Sequence, residues 1–419
     1  MLLNDFLNKY FVHNVSAHRV AGGLRRKTGF VISATAVTTL IVSISVIYIF
    51  GSFATKKVVG ASQFQMAKDL AVTAEDNIRS EVDDAQTYAS RLLWKKACKE
   101  ANQKYANMDS HQIEKKMLDT DKIWATVGNE SDLIREHTSG AIADSMREII
   151  HIRKAITELF ITDKFGGLIF ASDRTSDFYQ ADEDWWKKTY NGGKGALYFG
   201  PIEYDASSGK WGSSIAVPIF DSGKEVIGIC KTFVQIEKLF YYLGEFKLGT
   251  TGRALLTDGN GTILVFKGTT PLTTKVMSSK NFIRLKNSVD GFISIGNNYT
   301  DKKRSFVAIC PIPSEILKNN GIAWNIVLSQ DSGEALNILN AFLLTILSVG
   351  IFLVPITISV GLFLGSKIAK PLDELSNAAS HIADGDFDLG INIHTGDEIE
   401  QLARTFNNMA HAIKASQNS

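Results

Sequence analysis

The sequence predicts an α+β membrane protein with two transmembrane helices, a long stalk helix, two tandem mixed α/β modules and a C-terminal parallel helical bundle. Three observations lead to this fold class. Two long uncharged apolar segments enclose a large polar region, and that region changes from helical to alternating periodicity. Two short amphipathic segments follow the second apolar one, and they predict the bundle.

The two apolar segments are predicted to cross a lipid bilayer. No charged residue lies between Lys27 and Lys56, and the second uncharged segment contains Pro355 as a site for a kink. A helix needs about 20 apolar residues to cross the hydrocarbon core. We therefore predict transmembrane helices at 29–53 and 336–366, the first an uncleaved anchor because its apolar run exceeds that of a signal peptide.

Lys and Arg near the span ends predict the orientation, since the richer side stays in the cytoplasm. Both termini are therefore expected inside and residues 54–335 outside. Residues 1–28 read equally well as an amphipathic helix on the inner leaflet or as a frayed tail. The charges on the inner side are Arg19, Arg25, Arg26, Lys27, Lys367 and Lys370, against Lys56, Lys57 and Lys68 on the outer side.

Composition and motifs exclude several classes of protein. The 45 Lys and Arg residues balance 44 Asp and Glu residues, so no nucleic-acid partner is expected. Cys98, Cys230 and Cys310 form no CxxC pair, which argues against a disulfide scaffold or a thiolate zinc site. They are expected to be buried, although a pairing of Cys98 or Cys310 stays open. HExxH, GxSxG and GxxxxGK[ST] are absent, and no metal or cofactor is expected.

A heptad seam after the first span predicts the stalk helix. Its apolar positions step by three and four without Pro or Gly, so one edge of the helix must pack against a partner. That partner is either a second copy of the chain or the protein's own sheet. Residues 100–155 are predicted as further helices. The seam comprises Phe64, Ala67, Ala71, Ala74, Ile78, Val82, Ala85, Ala89 and Leu92.

A repeated motif predicts two related modules. FITDKFGGLI at 160–169 is echoed by LLTDGNGTIL at 255–264, and both share Thr-Asp-x-x-Gly. Two apolar strands around such a turn form a hairpin, so the same hairpin is expected twice. We place a membrane-distal module at 54–240, together with the stalk, and a membrane-proximal module at 241–335.

The C-terminal region reads as two amphipathic helices. Each has a narrow apolar stripe and is too short to be stable alone in water. Two copies of the chain would supply four such helices and bury the stripes in a parallel bundle. The predicted core positions are Ile368, Leu372, Leu375, Ile382, Ile399, Leu402, Phe406 and Met409.

Three segments of this region resemble the HAMP linker of bacterial transmembrane receptors. They are IAKPLDEL at 368–375, GDFD at 385–388 and DEIEQLARTFNNM at 397–409. Glu400 stands where the family often has Gly, a departure expected to affect only the first turn of the second helix. The resemblance implies a HAMP domain at 367–419, in the layout of chemoreceptors and sensor kinases.

The external region is similar to a double Cache domain, which has a long first helix and two PAS-like modules. SDFYQADEDWWKKTY at 176–190 and YFGPIEYD at 198–205 resemble the ligand-facing part of the distal module. The resemblance implies a small-molecule ligand there, although so many aromatic residues are also typical of a core. The candidate ligand-binding residues are Arg174, Phe178, Tyr179, Trp185, Trp186, Tyr190, Tyr198, Asp205, Lys231 and Phe233.

The same resemblance argues against an ordinary α-amino acid. Where amino-acid receptors of this family carry an Arg and an Asp, this chain has Glu183 and Phe233. Lys231, on the same strand face as Phe233, is expected to select a small anion instead. The nearby acids Asp182 and Asp184 leave an amine open.

The leading hypothesis is a homodimeric receptor of the bacterial inner membrane that relays ligand binding through the second span to the HAMP linker. No catalytic domain is predicted in this chain, so the output domain would follow it or belong to a separate protein. A membrane-anchored adhesion module is the first alternative. An extracytoplasmic hydrolase using Asp182, Glu183 or Asp205 is the second and is disfavoured.

Overall fold

A computed structural model describes residues 23–295, 304–383 and 390–417. Residues 56–337 form one compact unit, and the described parts of 1–55 and 338–419 form another. The helices are α1 Gly23–Ala89, α2 Leu92–Gln103, α3 Ser110–Thr126, α4 Asp132–Thr138, α5 Ala141–Ile152, α6 Asp184–Tyr190, α7 Ile236–Leu239, α8 Tyr241–Glu245, α9 Ser279–Lys286, α10 Glu315–Asn319, α11 Ser332–Ala335, α12 Asn337–Ala383 and α13 Glu398–Gln417.

Both predicted spans lie within long helices. Within α1 and α12, the stretches Gly29–Ala89 and Leu339–Ile382 are long and apolar enough to cross a membrane. Most of the predicted N-terminal segment, residues 1–22, and the GDFD motif at 385–388 lie outside the described residues.

Two antiparallel five-stranded sheets form the cores of the two modules. The distal sheet has the order β2-β1-β5-β4-β3, and the proximal sheet has the equivalent order β7-β6-β10-β9-β8. The prediction of two mixed modules is therefore confirmed. The strands are β1 Ile156–Asp163, β2 Leu168–Ala171, β3 Tyr198–Asp205, β4 Lys210–Phe220, β5 Val226–Gln235, β6 Arg253–Asp258, β7 Ile263–Val265, β8 Phe292–Ile295, β9 Ser305–Pro311 and β10 Trp324–Asp331.

The repeated motif forms the same hairpin twice, as predicted. β1 pairs with β2, and β6 pairs with β7, each across the D-x-x-G turn. Gly166 and Gly261 have φ values of 91° and 79°, a left-handed conformation that favours glycine. Residues Asp163 and Asp258 each accept backbone N–H groups from their own turn.

The heptad seam packs on the protein's own sheets, which settles the alternative that the periodicity left open. Ala67, Ala74 and Ile78 are fully buried in a core shared with strands of both modules. Leu92 was wrongly assigned to the seam. It follows the end of α1 and is 84% exposed.

The three cysteines are buried and unpaired. The expectation of small buried side chains is confirmed, and neither Cys98 nor Cys310 forms a disulfide. Burial raises the pKa of the Cys98 and Cys230 thiols well above the usual range, and for Cys98 the neighbouring Asp163 carboxyl adds to the rise.

The C-terminal helix pair packs through the segment that connects it. Asn407 on α13 donates to the Ile391 carbonyl across 2.8 Å and accepts from the Ile391 N–H across 2.9 Å. Glu400 accepts from the Gly396 N–H and from Arg404, so its effect is local to the first turn of α13. The apolar cluster comprises Leu375, Ile393 and Ala403, with Leu372, Ile391, Ile399 and Phe406 packed against it.

The other predicted core positions of this pair differ in burial. Ile382 is 9% exposed, whereas Ile368, Leu402 and Met409 are 45%, 50% and 46% exposed. A single chain therefore covers only part of the predicted apolar stripe.

Candidate functional site

One face of the distal sheet carries polar and aromatic side chains. In the register of the sheet, Phe160 on β1 lies opposite Lys231 on β5, and Lys231 lies opposite Ala216 on β4. Residues that are directly opposite in a sheet share a face, so this register also places Glu158 and Phe233 on it. We call this surface the sheet-face site.

A buried ion pair lies at the centre of the sheet-face site. Lys231 Nζ is 3.9 Å from Glu158 Oε2, and the two side chains are only 14% and 11% exposed. The ammonium also lies 5.2 Å from the centre of the Phe160 ring and 4.9 Å from that of Trp185, within the range of a cation–π contact. Burial raises the pKa of Glu158, and the charge of Lys231 opposes that rise.

Further acids lie on β3, the edge strand of the same sheet, which β4 separates from β5. Glu203 on β3 accepts a hydrogen bond from Ser214 Oγ across 2.9 Å. Asp205 accepts hydrogen bonds from Ser207 and Ser208 in the turn that follows β3. Partial burial would raise the pKa of Asp205, but these hydrogen bonds outweigh it and lower that pKa.

Helix α6 covers this face with its paired tryptophans. Trp185 packs edge-on against Phe160 at 5.8 Å between ring centres. Trp186 stacks on Tyr190 at 4.8 Å and donates its indole N–H to Thr162 Oγ1 across 3.1 Å. Trp185 therefore faces the ion pair, whereas Trp186 has a local hydrogen bond and a stacking partner.

Glu183, directly before α6, brings another carboxyl toward the site. Partial burial raises its pKa, and the neighbouring carboxylates Asp177 and Asp182 add to the rise. The Lys231 charge acts in the opposite direction. The sheet-face site therefore holds more carboxylates than ammonium groups.

Three candidate residues lie in the loop before α6 and have hydrogen-bond partners outside the sheet-face site, although Phe178 and Tyr179 pack on the same apolar cluster as Phe160 and Trp185. Arg174 donates to Asn129 Oδ1 across 2.8 Å and to the carbonyl oxygen of Trp124. The backbone N–H groups of Phe178 and Tyr179 both donate to Asp121 Oδ1, which fixes this loop to α3. These contacts fix the loop, and a ligand role for the three residues stays a prediction.

The remaining candidates lie at or beside the site. Tyr198 is opposite Ala216 on the neighbouring strand, and Lys188 lies 5.5 Å from the centre of its ring. Phe233 is opposite Glu158 but is only 1% exposed, so it is packed into the core. Among the candidates, Lys231 forms the ion pair with Glu158, and Trp185 contacts Lys231. Tyr198 and Asp205 lie on β3 of the same sheet.

Sequence reasoning missed Glu158, Phe160 and Glu203. A signal was present, since Glu158 is a charged residue inside the otherwise apolar strand ITELFIT, and a buried charge needs a partner. Which residue supplies that partner depends on strand pairing, and strand pairing is not local in sequence. Within the described residues, no group of three or more His, Cys, Asp or Glu side chains is arranged to hold a metal ion.

Residues 65–338 match the family model of the Cache domain, and residues 363–415 match that of the HAMP domain. The methyl-accepting chemotaxis protein TlpA of Bacillus subtilis is 22% identical over 317 residues, which are 73% of this chain and 44% of TlpA. The sensor protein kinase WalK of Staphylococcus saprophyticus is 27% identical over 159 residues, 35% of this chain and 25% of WalK.

One of the solved structures that match this chain is the ligand-binding domain of the Pseudomonas fluorescens chemoreceptor CtaA in complex with L-isoleucine. It is 14% identical, with a TM-score of 0.43, and the match covers 68% of this chain and 97% of that domain. This chain spans less than half the length of the two curated relatives above. Because the Cache match covers more than half of the sequence, the chain belongs to the Cache-domain family, here joined to a HAMP domain.

Proposed function

We propose that this chain is the sensor part of a transmembrane receptor and that it binds a small polar ligand at the sheet-face site. The observation that carries the proposal is the buried pair of Lys231 and Glu158 between Phe160 and Trp185. Removing two charges from water is costly, and apolar residues would stabilise the sheet at least as well. Charges retained at such a position favour a binding role.

The ligand is proposed to present hydrogen-bond donors. Lys231 was expected to select a small anion, but its ammonium is already paired with Glu158. Glu203, Asp205 and Glu183 supply further carboxylates at the same end of the sheet. An ammonium, amide or hydroxyl group on the ligand would meet these acceptors.

The signal is proposed to leave the external unit where its two ends are joined. Gln63 on α1 donates to Gln330 at the end of β10 across 2.9 Å, and Gln330 donates to the Leu248 carbonyl. Glu334 on α11 accepts from the N–H groups of Thr250 and Thr251. A shift of the proximal sheet would therefore act on the residues that continue into both spans.

The relay is proposed to require two copies of the chain. Ile368, Leu402 and Met409 present apolar side chains that one chain leaves about half exposed. A second HAMP helix pair would cover them in a four-helix bundle. Both termini are proposed to lie in the cytoplasm of the bacterial cell, and an output domain or separate partner protein would receive the signal.

A ligand screen on the full chain in lipid nanodiscs tests the binding site. We expect at least one small polar compound to raise the melting midpoint of the wild type. Glu203→Gln, an exposed position that should not affect folding, is expected to reduce that shift, and Trp185→Ala to abolish it. Arg174→Gln, which lies away from the site, is the matched control. Compounds that shift all four proteins equally would refute the site.

A further inference from the structure

A cavity that neither Lys231 nor Glu158 lines lies at the β2 edge of the distal sheet. It has a volume of about 390 Å³ and is bounded by α2, α3, α4 and the β1–β2 hairpin. Phe170 lines it, and Phe170 lies opposite Ile161, on the other face of the sheet from Phe160. Pockets for small molecules span roughly 300–1,000 Å³, so this volume suits one.

Asp163 is the buried charged group of this cavity. It is 2% exposed, and its Oδ1 accepts hydrogen bonds from the N–H groups of Phe165 and Gly167 at 2.8 and 3.0 Å. Oδ2 has no hydrogen-bond partner in the part of the chain that the structure describes. Asp163 lines the cavity, and its Oδ2 is not one of the side-chain oxygens that are sealed from solvent without a partner, so a molecule in the cavity can reach this oxygen.

The proximal module offers an internal comparison. Asp258 occupies the same place in the second hairpin, and its Oδ1 accepts from the N–H groups of Asn260 and Thr262 at 2.8 and 2.7 Å. Asp258 is partly exposed, so its second oxygen can reach water. The turn therefore needs the Oδ1 contacts but not the burial, and the burial of Asp163 is an additional property of the distal module.

The charges around the cavity favour a cation. Lys104 pairs with Glu136 at 3.7 Å, and each side chain is 63% exposed at the rim. His137 bonds the Ile169 carbonyl through Nδ1, and burial lowers its pKa, which favours its neutral form. The ionisable groups that face the cavity are Glu100, Lys104, Tyr105, Lys116, Glu136, His137 and Asp163, with the Cys98 thiol next to Asp163.

Three carboxylates and two ammonium groups therefore line the cavity, and the unpaired charge is at the buried end. The walls are mixed: charged and polar side chains line much of the cavity, and Phe170, Phe178 and Tyr105 supply aromatic surface between them. Aromatic faces attract cations as well as apolar groups. We propose that this cavity is a second ligand site, which binds a small organic cation with an apolar body against the carboxylate of Asp163.

Titration calorimetry of the full chain in nanodiscs tests this site, with benzylammonium chloride as the probe and empty nanodiscs as the reference. Benzyl alcohol, an uncharged molecule of the same shape, is expected to bind at least tenfold more weakly. Asp163→Asn keeps the Oδ1 contacts of the turn and is expected to weaken benzylammonium binding at least tenfold. Asp258→Asn makes the same change in the other hairpin and should leave binding unchanged.

Thr120→Phe provides a test that removes no charge. Thr120 lines the cavity, and a ring at this position should occupy it and abolish binding. The proposal is overturned if benzylammonium shows no saturable binding, if benzyl alcohol binds as tightly, or if Asp163→Asn binds like the wild type. It is also overturned if Glu203→Gln loses binding while Asp163→Asn retains it, because the cation then occupies the sheet-face site.

Discussion

The side-chain amide of Gln63 donates to that of Gln330 across 2.9 Å, and both residues are buried, at 2% and 8% exposure. Gln63 belongs to the helix that contains the first span, and Gln330 is near the end of the last strand before the second span. Each unmet donor or acceptor in a buried amide pair is costly, and within the described residues Gln63 Oε1 is buried without a hydrogen-bond partner, so the bond to Gln330 is the contact that holds this amide. This pair therefore couples the two ends of the unit formed by residues 56–337.

Replacing Gln63 with Leu should destabilise the external unit. The change leaves the Gln330 amide oxygen buried without its donor, which costs about 1–3 kcal/mol, and removal of the unpartnered Gln63 Oε1 offsets part of that loss, so the net effect should lie near the lower end. The melting midpoint of the full chain in nanodiscs, followed by tryptophan fluorescence, measures the effect. Gln65→Leu is the matched control, because Gln65 is exposed on the same helix and its side chain donates a hydrogen bond to Asp69, one turn later. Equal losses in both variants would contradict the role of the pair.

Lys231→Met should be strongly destabilising, because Glu158 then loses the partner of its buried charge. Breaking a buried pair from one side costs about 3–5 kcal/mol. The double change Glu158→Gln with Lys231→Met is expected to regain much of that loss. Lys318→Met, in a pair that is 75% and 73% exposed, is the control and should cost less than about 1 kcal/mol. A double variant as unstable as Lys231→Met would count against a charge effect.

Acidification should stabilise the distal module through Asp163. Burial raises its pKa from 3.8 to about 6, against the turn N–H groups and the Lys104 charge. Asp163 therefore binds its proton more tightly in the folded state than in the unfolded chain. Its contribution to the free energy of unfolding falls as the pH rises from about 4 to about 6 and does not change further above about 6. Asp163→Asn should remove this part of the pH dependence of the midpoint, whereas Asp258→Asn should keep it.

Cysteine cross-linking tests the proposed pairing of HAMP helices. All three native cysteines are buried, so an introduced exposed cysteine should react selectively. Leu402→Cys is expected to form a disulfide-linked dimer on oxidation of intact membranes, because Leu402 is on the exposed apolar stripe. Arg404→Cys, about 200° away around the same helix, should cross-link poorly. If oxidation of the Leu402→Cys variant yields monomers and no disulfide-linked dimer, the proposed bundle is contradicted.

Much of the fold could be predicted because it depends on local pattern. The Thr-Asp-x-x-Gly repeat predicts both hairpins, since the hydrogen bonds of the Asp side chain and the left-handed conformation of the Gly lie within one turn. The two candidate spans could also be predicted, from the length of their uncharged apolar segments alone. The partner of the α1 seam was not, because small residues such as Ala67 and Ala74 suit a second helix and a sheet alike.

The site was predicted only in part because its contacts join distant segments. Trp185 and Lys231 were named from the sequence, but the contact of Lys231 with Glu158 depends on the pairing of β1 with β5. Arg174 was expected at the ligand, and its partner Trp124 lies on a helix 50 residues earlier. Residue type indicated a polar aromatic site, whereas its geometry required the register of the sheet.

Hydrogen exchange of the full chain in nanodiscs, with and without a compound from the ligand screen, tests the central claim that binding in the distal module reaches the membrane-proximal end. We predict that exchange changes on the distal strands and also on residues 324–335, which carry the contacts of Gln330 and Glu334. Glu203→Gln should weaken both changes together. Protection confined to the distal strands, with residues 324–335 unaltered at saturating compound, would contradict the relay.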